Sequence, residues 1–98
     1  MDTVINLISE QIQSDLIGNQ IPVKSFREVY ATAEPITQNE FFKAQAIGIK
    51  PRAKLVVFFG DYQGEELLEW EGTEYSIYRT YQKGDLVELY AEKRLGNG

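Results

Sequence analysis

Hydrophobic and polar residues alternate along Glu65–Lys93, near the C-terminal end of the chain. Leu68 and Trp70 fall on one side of the first run, and two later runs alternate in the same way. The glycine-containing turns Glu71–Thr73 and Gln82–Asp85 separate the runs. A period of two between glycine turns is typical of β-strands, whereas a helix needs apolar residues three and four positions apart. The segment is therefore predicted to form a three-stranded antiparallel meander.

The N-terminal segment Thr3–Gln13 fits a strand and a helix almost equally well, because its apolar residues recur at intervals that suit either. The sequence beyond it favours a strand. Gly18-Asn19 is a turn dipeptide, and Ile21–Ala33 then continues as an extended run. Two extended runs around a short polar turn indicate a hairpin, so we expect Thr3–Gln13 to be its first strand.

A short helix is predicted over Gln38–Ile47. Thr37 and Glu40 have the spacing of a capping box, in which each side chain bonds the backbone N–H of the other residue. Phe41 and Ala44 would form a narrow apolar stripe that packs on the sheet.

The remaining pattern completes the fold. Ala53–Phe59 is a nearly continuous apolar run, which predicts a strand buried on both faces. Gly60–Gly64 follows as a loop with a glycine at each end. The predicted fold is a mainly β single domain, an antiparallel barrel or sandwich of about six strands with one short α-helix.

Composition narrows the possible functions. The 98 residues suffice for one modest core. Acidic residues outnumber basic ones 15 to 10, giving a net charge of −5, and this disfavours binding to phosphates. The chain has no histidine, the commonest general base, and no cysteine for disulfides or thiolate metal sites. The first residues do not resemble a signal peptide, so we expect a cytoplasmic origin.

The candidate chemical groups each have a simpler structural explanation. Asp61, Glu65 and Glu66 could hold a divalent cation, but the spacing of a calcium loop is absent. The dense glutamates are better explained as a solvated face that prevents edge-to-edge pairing of strands. Arg79 could recognise an anion, although such an arginine more often covers ring faces at the surface of a sheet. Catalysis is therefore not expected, and we predict no catalytic, metal or cofactor-binding residues.

The aromatic residues are more numerous than a thin core requires. Six of them fall within some thirty positions, around the predicted helix and loop: Phe41, Phe42, Phe58, Phe59, Tyr62 and Trp70. Apolar surface that stays exposed usually marks a partner interface. We therefore expect an assembly component, with a partner or oligomer interface at Phe41, Phe42, Asp61, Tyr62 and Gln63.

Several short strings occur together in one order along the chain. They are Arg27-Glu28-Val29-Tyr30-Ala31, Gln38-Asn39-Glu40-Phe41, Lys43-Ala44, Tyr62-Gln63-Gly64, Trp70-Glu71-Gly72-Thr73-Glu74-Tyr75, Tyr78-Arg79-Thr80-Tyr81 and Val87-Glu88-Leu89-Tyr90. In this order and spacing the chain resembles the head-closure, or head–tail joining, proteins of tailed bacteriophages and prophages. The resemblance covers nearly the whole chain, from the first hairpin to Lys93.

The resemblance implies a small β-barrel or sandwich that forms a homo-oligomeric ring beneath the portal and adaptor proteins of the virion. Such a ring closes the DNA-filled head and presents the surface to which the tail proteins attach. It implies no cofactor, no membrane partner and no specific contact with the DNA that passes through. The protein would be made in the cytoplasm of the host bacterium.

Two other functions remain open at this point. A small β-barrel could bind a peptide or an oligonucleotide through its surface tyrosines, and a basic groove on the acidic barrel would favour that function. An enzyme is the third possibility, and it would need a pair of carboxylates in a cleft.

Overall fold

The computed structural model describes residues 1–94, which form a closed antiparallel β-barrel of six strands and one short helix. The elements are β1 (Asp2–Ser14), β2 (Gln20–Glu34), α1 (Gln38–Ala46), β3 (Ala53–Phe58), β4 (Leu67–Trp70), β5 (Thr73–Lys83) and β6 (Leu86–Lys93). Around the barrel the strands follow the order β1-β2-β3-β6-β5-β4. The predicted fold class is thus confirmed, as a closed barrel rather than a sandwich.

The ambiguous N-terminal segment is a strand. β1 pairs with β2 without interruption from Asp2 opposite Thr32 to Ser14 opposite Gln20. Ile5 points into the barrel and is buried, while its neighbour Val4 points outwards and is exposed. This inward and outward alternation is possible only for a strand, which explains why the hairpin prediction is correct and the helical alternative is not.

The buried core is formed by one inward-facing set of side chains from five strands, β1, β2, β3, β4 and β6. Its buried members are Ile5, Leu7, Val29, Ala31, Ala53, Leu55, Val57, Leu68, Val87, Leu89 and Ala91. Trp70, Tyr75 and Ile77 are only partly buried and pack against this cluster. The indole N–H of Trp70 donates a hydrogen bond of 3.0 Å to Thr3 Oγ1, so its polar edge has a partner.

The expectation that Ala53–Phe59 is buried on both faces is wrong at its C-terminal end. Leu55 and Val57 point inwards, and the outward Val56 is also buried. Phe58 and Phe59, however, are about half exposed, and Phe59 begins a 3₁₀ turn that ends at Asp61. A barrel this small has a single interior, and nothing in the described chain covers the outer side of the sheet at Phe58.

The helix differs from the prediction in its capping and in the face it buries. Thr37 is the N-cap and accepts a hydrogen bond of 3.2 Å from the Glu40 N–H, but the Glu40 carboxylate does not complete the capping box. It accepts hydrogen bonds from Tyr78 and Arg79 instead. As a result Glu40 and Ala44, four residues apart, form the buried face, and Phe41 is not part of it.

The meander is present with both predicted turns. Glu71 and Gly72 join β4 to β5 with positive φ angles of 52° and 79°, as a two-residue hairpin of the I′ type requires. A β-bulge interrupts the pairing of β5 with β6 between Ile77 and Arg79. The bulge ends the simple alternation expected for this strand, and both Tyr78 and Arg79 contact the helix residue Glu40.

The first hairpin is much longer than the barrel. β1 pairs with β4 only as far as Ile8, and β2 pairs with β3 only from Ala31 onwards. The two strands therefore continue as a free ribbon, Ser9–Ser25, which we call the arm. Its six β1 residues after Ile8 correspond to about 20 Å at about 3.3 Å per residue. The described molecule accordingly measures 51 × 30 × 23 Å.

Candidate interaction surfaces

The tip of the arm is a five-residue turn, Asp15–Asn19, organised by one carboxylate. Asp15 Oδ1 accepts hydrogen bonds from the backbone N–H groups of Ile17 (3.0 Å) and Asn19 (2.8 Å). These bonds, with the one from Asn19 first in strength, lower the pKa of Asp15 below its ordinary value. Gly18 supplies the left-handed conformation that the turn needs, with φ +88°. The turn is thus built by local hydrogen bonds and does not depend on a packed core.

This turn holds two large apolar side chains in solvent. Leu16 is fully exposed and Ile17 is 82% exposed, and Ile12 and Ile21 are exposed on the strands below them. Asp15 is the only charged residue between Gln11 and Val23. An isolated two-stranded ribbon is marginally stable in water, and its edges are usually protected by charge. An arm whose outer part carries a single charge and apolar residues at its tip therefore has the features of a partner-binding element.

A network of four charges fixes the root of the arm to the barrel. Glu10 and Lys24 are opposite one another on the two strands of the arm. Arg94 contacts Glu10 at 3.1 Å and Glu74 at 2.7 Å, and Lys24 contacts Glu74 at 3.1 Å. Burial alone would raise the pKa of Glu74, but the hydrogen bonds from Lys24 and Arg94 outweigh it and lower the pKa. The network links both strands of the arm to β5 and Arg94 at the root.

A second apolar surface crosses the outside of the barrel. Val4 is opposite Tyr30, and Phe58 is opposite Leu86, so each pair points to the same side of the sheet. Tyr30 and Phe58 are one step beyond the last paired residues of β2 and β3, which brings the two pairs into a line. We call these four residues the outer row. They are 41–82% exposed.

Phe58 owes its position to a glycine. A β-carbon on Gly60 would lie 2.5 Å from Cε2 of the Phe58 ring, so any other residue there would displace the ring. Glycine at position 60 therefore allows the 3₁₀ turn to pack closely on the Phe58 ring. Phe59 N–H also donates a hydrogen bond of 2.7 Å to Asp85 O, which ties the turn to the β5–β6 hairpin.

The structure does not bring the five predicted interface residues together. Phe41 and Phe42 are exposed on α1. Their rings are arranged edge to face, with 6.4 Å between the ring centres. Asp61, Tyr62 and Gln63 are in the loop after β3, whereas α1 precedes β3. The two groups have different attachments: α1 is bonded to β5 through Glu40, whereas Tyr62 packs against the core and bonds the Glu65 backbone.

Tyr62, one of the predicted interface residues, is partly buried. Its ring packs against the core, and its hydroxyl donates a hydrogen bond of 2.7 Å to Glu65 O. Burial raises the pKa of its hydroxyl group. Asp61 is half-buried beside it, and only Gln63 is exposed. Tyr62 therefore holds the loop in place, and its replacement by serine would destabilise the fold as well as change the surface.

Sequence reasoning placed Glu65 on a solvated face, but its side chain is buried. Glu65 Oε2 accepts a hydrogen bond of 2.6 Å from Arg27, and Oε1 accepts one of 2.8 Å from the Gln63 N–H. Burial alone would raise the pKa of Glu65, but these hydrogen bonds outweigh it and lower the pKa. The pair joins the loop after β3 to β2, close to the root of the arm.

Arg79 covers a tyrosine ring, as the simpler explanation of its position predicted. Its guanidinium lies 4.4 Å from the centre of the Tyr90 ring and forms an ion pair with Glu40. The Tyr78 hydroxyl donates a hydrogen bond of 3.0 Å to the same carboxylate. Burial and this hydrogen bond raise the pKa of Tyr78 above its ordinary value. The cluster attaches α1 to the barrel.

The tyrosines do not form one continuous surface. Four of the six have rings or hydroxyls in contacts within the chain: Tyr62, Tyr75, Tyr78 and Tyr90. Tyr30 and Tyr81 are the exposed ones. Within residues 1–94, no three metal-ligating side chains come together, and no helix is long and apolar enough to cross a membrane. The exposed apolar surfaces are thus the strongest candidate sites.

The comparisons with known proteins add no family. The sequence matches no protein-family model and no curated protein.

Proposed function

We propose that this protein is a structural assembly subunit, and specifically a head-closure or head–tail joining protein of a tailed phage or prophage. It would assemble as a homo-oligomeric ring under the portal and adaptor proteins, close the filled head and provide the surface for tail attachment. The protein would thus be located at the connector of the virion. The proposal rests on the resemblance in sequence and on the surfaces described above.

The observation that carries the proposal is the arm. The apolar tip is held in water by its own turn, where it lowers solubility and does not contribute to the barrel core. Contact with another molecule explains why it is exposed. A compact barrel with a long projecting ribbon is suited to a subunit that makes one small contact with each of its neighbours. Such contacts are weak one at a time and become strong when a template adds them together.

The charge of the chain supports the same function. At a net charge of −5, a ring of such subunits repels phosphates, so DNA can pass through without being held. The same charge keeps single subunits apart until they dock on the head.

The test is a deletion and complementation experiment in the phage or prophage that encodes the chain. Its genome should carry portal, capsid and tail genes near this one. Without the gene, electron microscopy should show heads without tails; the wild-type gene should restore tailed particles. A double variant with Leu16→Ser and Ile17→Ser should fold normally but fail to restore them.

The matched control changes the arm without touching its apolar residues. Gln11→Ser with Gln13→Ser alters two exposed polar positions of the same ribbon and should restore tailed particles fully. Unchanged yields of tailed particles after deletion of the gene would refute the proposed function, as would an encoding genome without capsid and portal genes.

A further inference from the structure

We propose that the arm of one copy of this chain packs against the outer row of a second copy, in a head-to-tail contact. This inference rests on the proposed function in one respect, namely that the contact forms in the ring at the virion connector. It names the two surfaces through which the subunits of that ring would join. It follows from where the two apolar surfaces are located in one chain.

The arm tip and the outer row are too far apart to meet within one molecule. Val4 belongs to the row and Leu16 to the tip, and both are on or next to β1. Ser14 is ten residue steps along the strand from Val4, which is about 33 Å of extended chain. The pairing of β1 with β2 is continuous over this distance, so the strand cannot fold back. Any contact between the two surfaces is therefore a contact between copies.

One contact between copies removes both exposed surfaces from water. The arm is two strands wide and carries Leu16 and Ile17 at its end, and the row is a stripe across four adjacent strands. A ribbon lying on a sheet buries apolar side chains from both at an ordinary sheet-packing distance of about 10 Å. A contact between two arms would leave the row exposed, and it is therefore disfavoured.

The charges favour a second copy as the occupant. Two copies at −5 each repel one another, so they approach best through segments that carry little charge. The arm has one charge between Gln11 and Val23, namely Asp15. The Asp15 carboxylate, like that of any aspartate in water, is ionised at neutral pH. Lys83 is opposite Leu86 on β5 and extends the outer row with an exposed positive charge, so it offers Asp15 a partner.

A contact between two different surfaces does not close on itself as a dimer. The second copy still presents its own arm, and the first still presents its own row, so each contact adds a subunit. If the rotation between subunits closes, the product is a ring, and otherwise it is an open filament. The arm, about 20 Å long, is comparable to the 23 Å and 30 Å widths of the molecule, so it can reach across a neighbouring barrel.

The natural absence of cysteine allows a direct test with single-cysteine variants of the full chain. Leu16→Cys and Phe58→Cys are prepared separately, mixed at high concentration and oxidised, and the disulfide-linked dimer is measured. We expect the mixture to form mixed dimers about tenfold faster than Leu16→Cys with Gln45→Cys, because docking raises the effective concentration of the two thiols. Gln45 is exposed on α1 and belongs to neither surface. Asp15→Lys in the Leu16→Cys variant should abolish the difference in rate between the two mixtures. Lys83→Asp in the Phe58→Cys variant should then restore it.

Three results would overturn the inference. The first is an equal rate of mixed-dimer formation in the two mixtures. The second is that Leu16→Cys links fastest with itself. The third is that Leu16→Cys links with Tyr30→Cys, used in place of Phe58→Cys, no faster than with Gln45→Cys. The thermal melting of each variant shows that it is folded. The same cross-links are then sought in assembled heads. If tail joining requires the protein but assembled heads show no arm-to-row cross-links, this inference alone is refuted. If the cross-links form but deletion of the gene has no effect on tails, the proposed function alone is refuted.

Discussion

Arg27 and Glu65 form a partly buried ion pair, and replacing Arg27 by methionine isolates its contribution. The Glu65 side chain is 4% exposed, and the Arg27 side chain is 37% exposed. In the variant, the carboxylate would keep the 2.8 Å hydrogen bond from the Gln63 N–H but lose the one from Arg27. Methionine retains most of the apolar stem of arginine, so the change removes the charge and its hydrogen bond with little loss of packing.

The expected cost is about 2 kcal/mol. Breaking a fully buried ion pair costs about 3–5 kcal/mol because a charge is left without compensation. Arg27 is more than a third exposed, so solvent already screens part of the interaction and the cost falls below that range. For a domain of this size a loss of about 2 kcal/mol lowers the melting temperature by about 10 °C. Arg52→Met is the control, because Arg52 is exposed and forms no ion pair within residues 1–94.

The pH dependence separates the electrostatic effect from a packing effect. The pKa of Glu65 in the folded protein lies below the ordinary value of 4.5. The pair therefore contributes its full stability above the unfolded-state pKa, and this contribution is lost as the pH falls through the lower folded-state pKa. The difference in melting temperature between wild type and Arg27→Met should be largest near about pH 7 and clearly smaller near about pH 3. An equal difference at both pH values would refute the reasoning, since only lost packing would then explain it.

Three further predictions concern the barrel, the arm and nucleic acid. Trp70→Ala should cost about 3 kcal/mol, the lower end of the range for large-to-small changes, because Trp70 is only partly buried; an unchanged urea midpoint would contradict this. Asp15→Ala should speed amide hydrogen exchange at Ile17 and Asn19, which lose their acceptor, and leave the melting temperature of the barrel unchanged; protection equal to wild type would show that the turn does not need the carboxylate. No duplex DNA binding should be measurable by fluorescence anisotropy at physiological salt, and salt-sensitive submicromolar affinity would instead favour an oligonucleotide-binding module.

The strands could be predicted because their signal is local. Alternation with a period of two is a property of consecutive residues, and the turns at Gly72 and Gly84 are defined by the positive φ that glycine supplies. The helix cap at Thr37 is local for the same reason. These features need no knowledge of which strands become neighbours.

The buried carboxylates could not be predicted because their partners are distant in sequence. Glu65 is 38 positions from Arg27, and Glu40 is 39 positions from Arg79. From the sequence alone, a glutamate beside other glutamates is most simply solvated. Only the pairing of the strands brings the two arginines within reach, and the same arginines then make burial of the carboxylates tolerable.

The arm was missed for a different reason, since its residues were identified as a hairpin but its length beyond the barrel was not. The point where a ribbon leaves a barrel depends on where the other strands end, and β4 ends its pairing with β1 at Ile8 because it has only four residues. One local signal was nevertheless available. The turn Asp15–Asn19 has an aspartate and a glycine at positions that build a turn, and Leu16-Ile17 between them. A segment with turn-forming residues lies in solvent, so large apolar residues within it are exposed. Their exposure indicates a binding partner outside the domain.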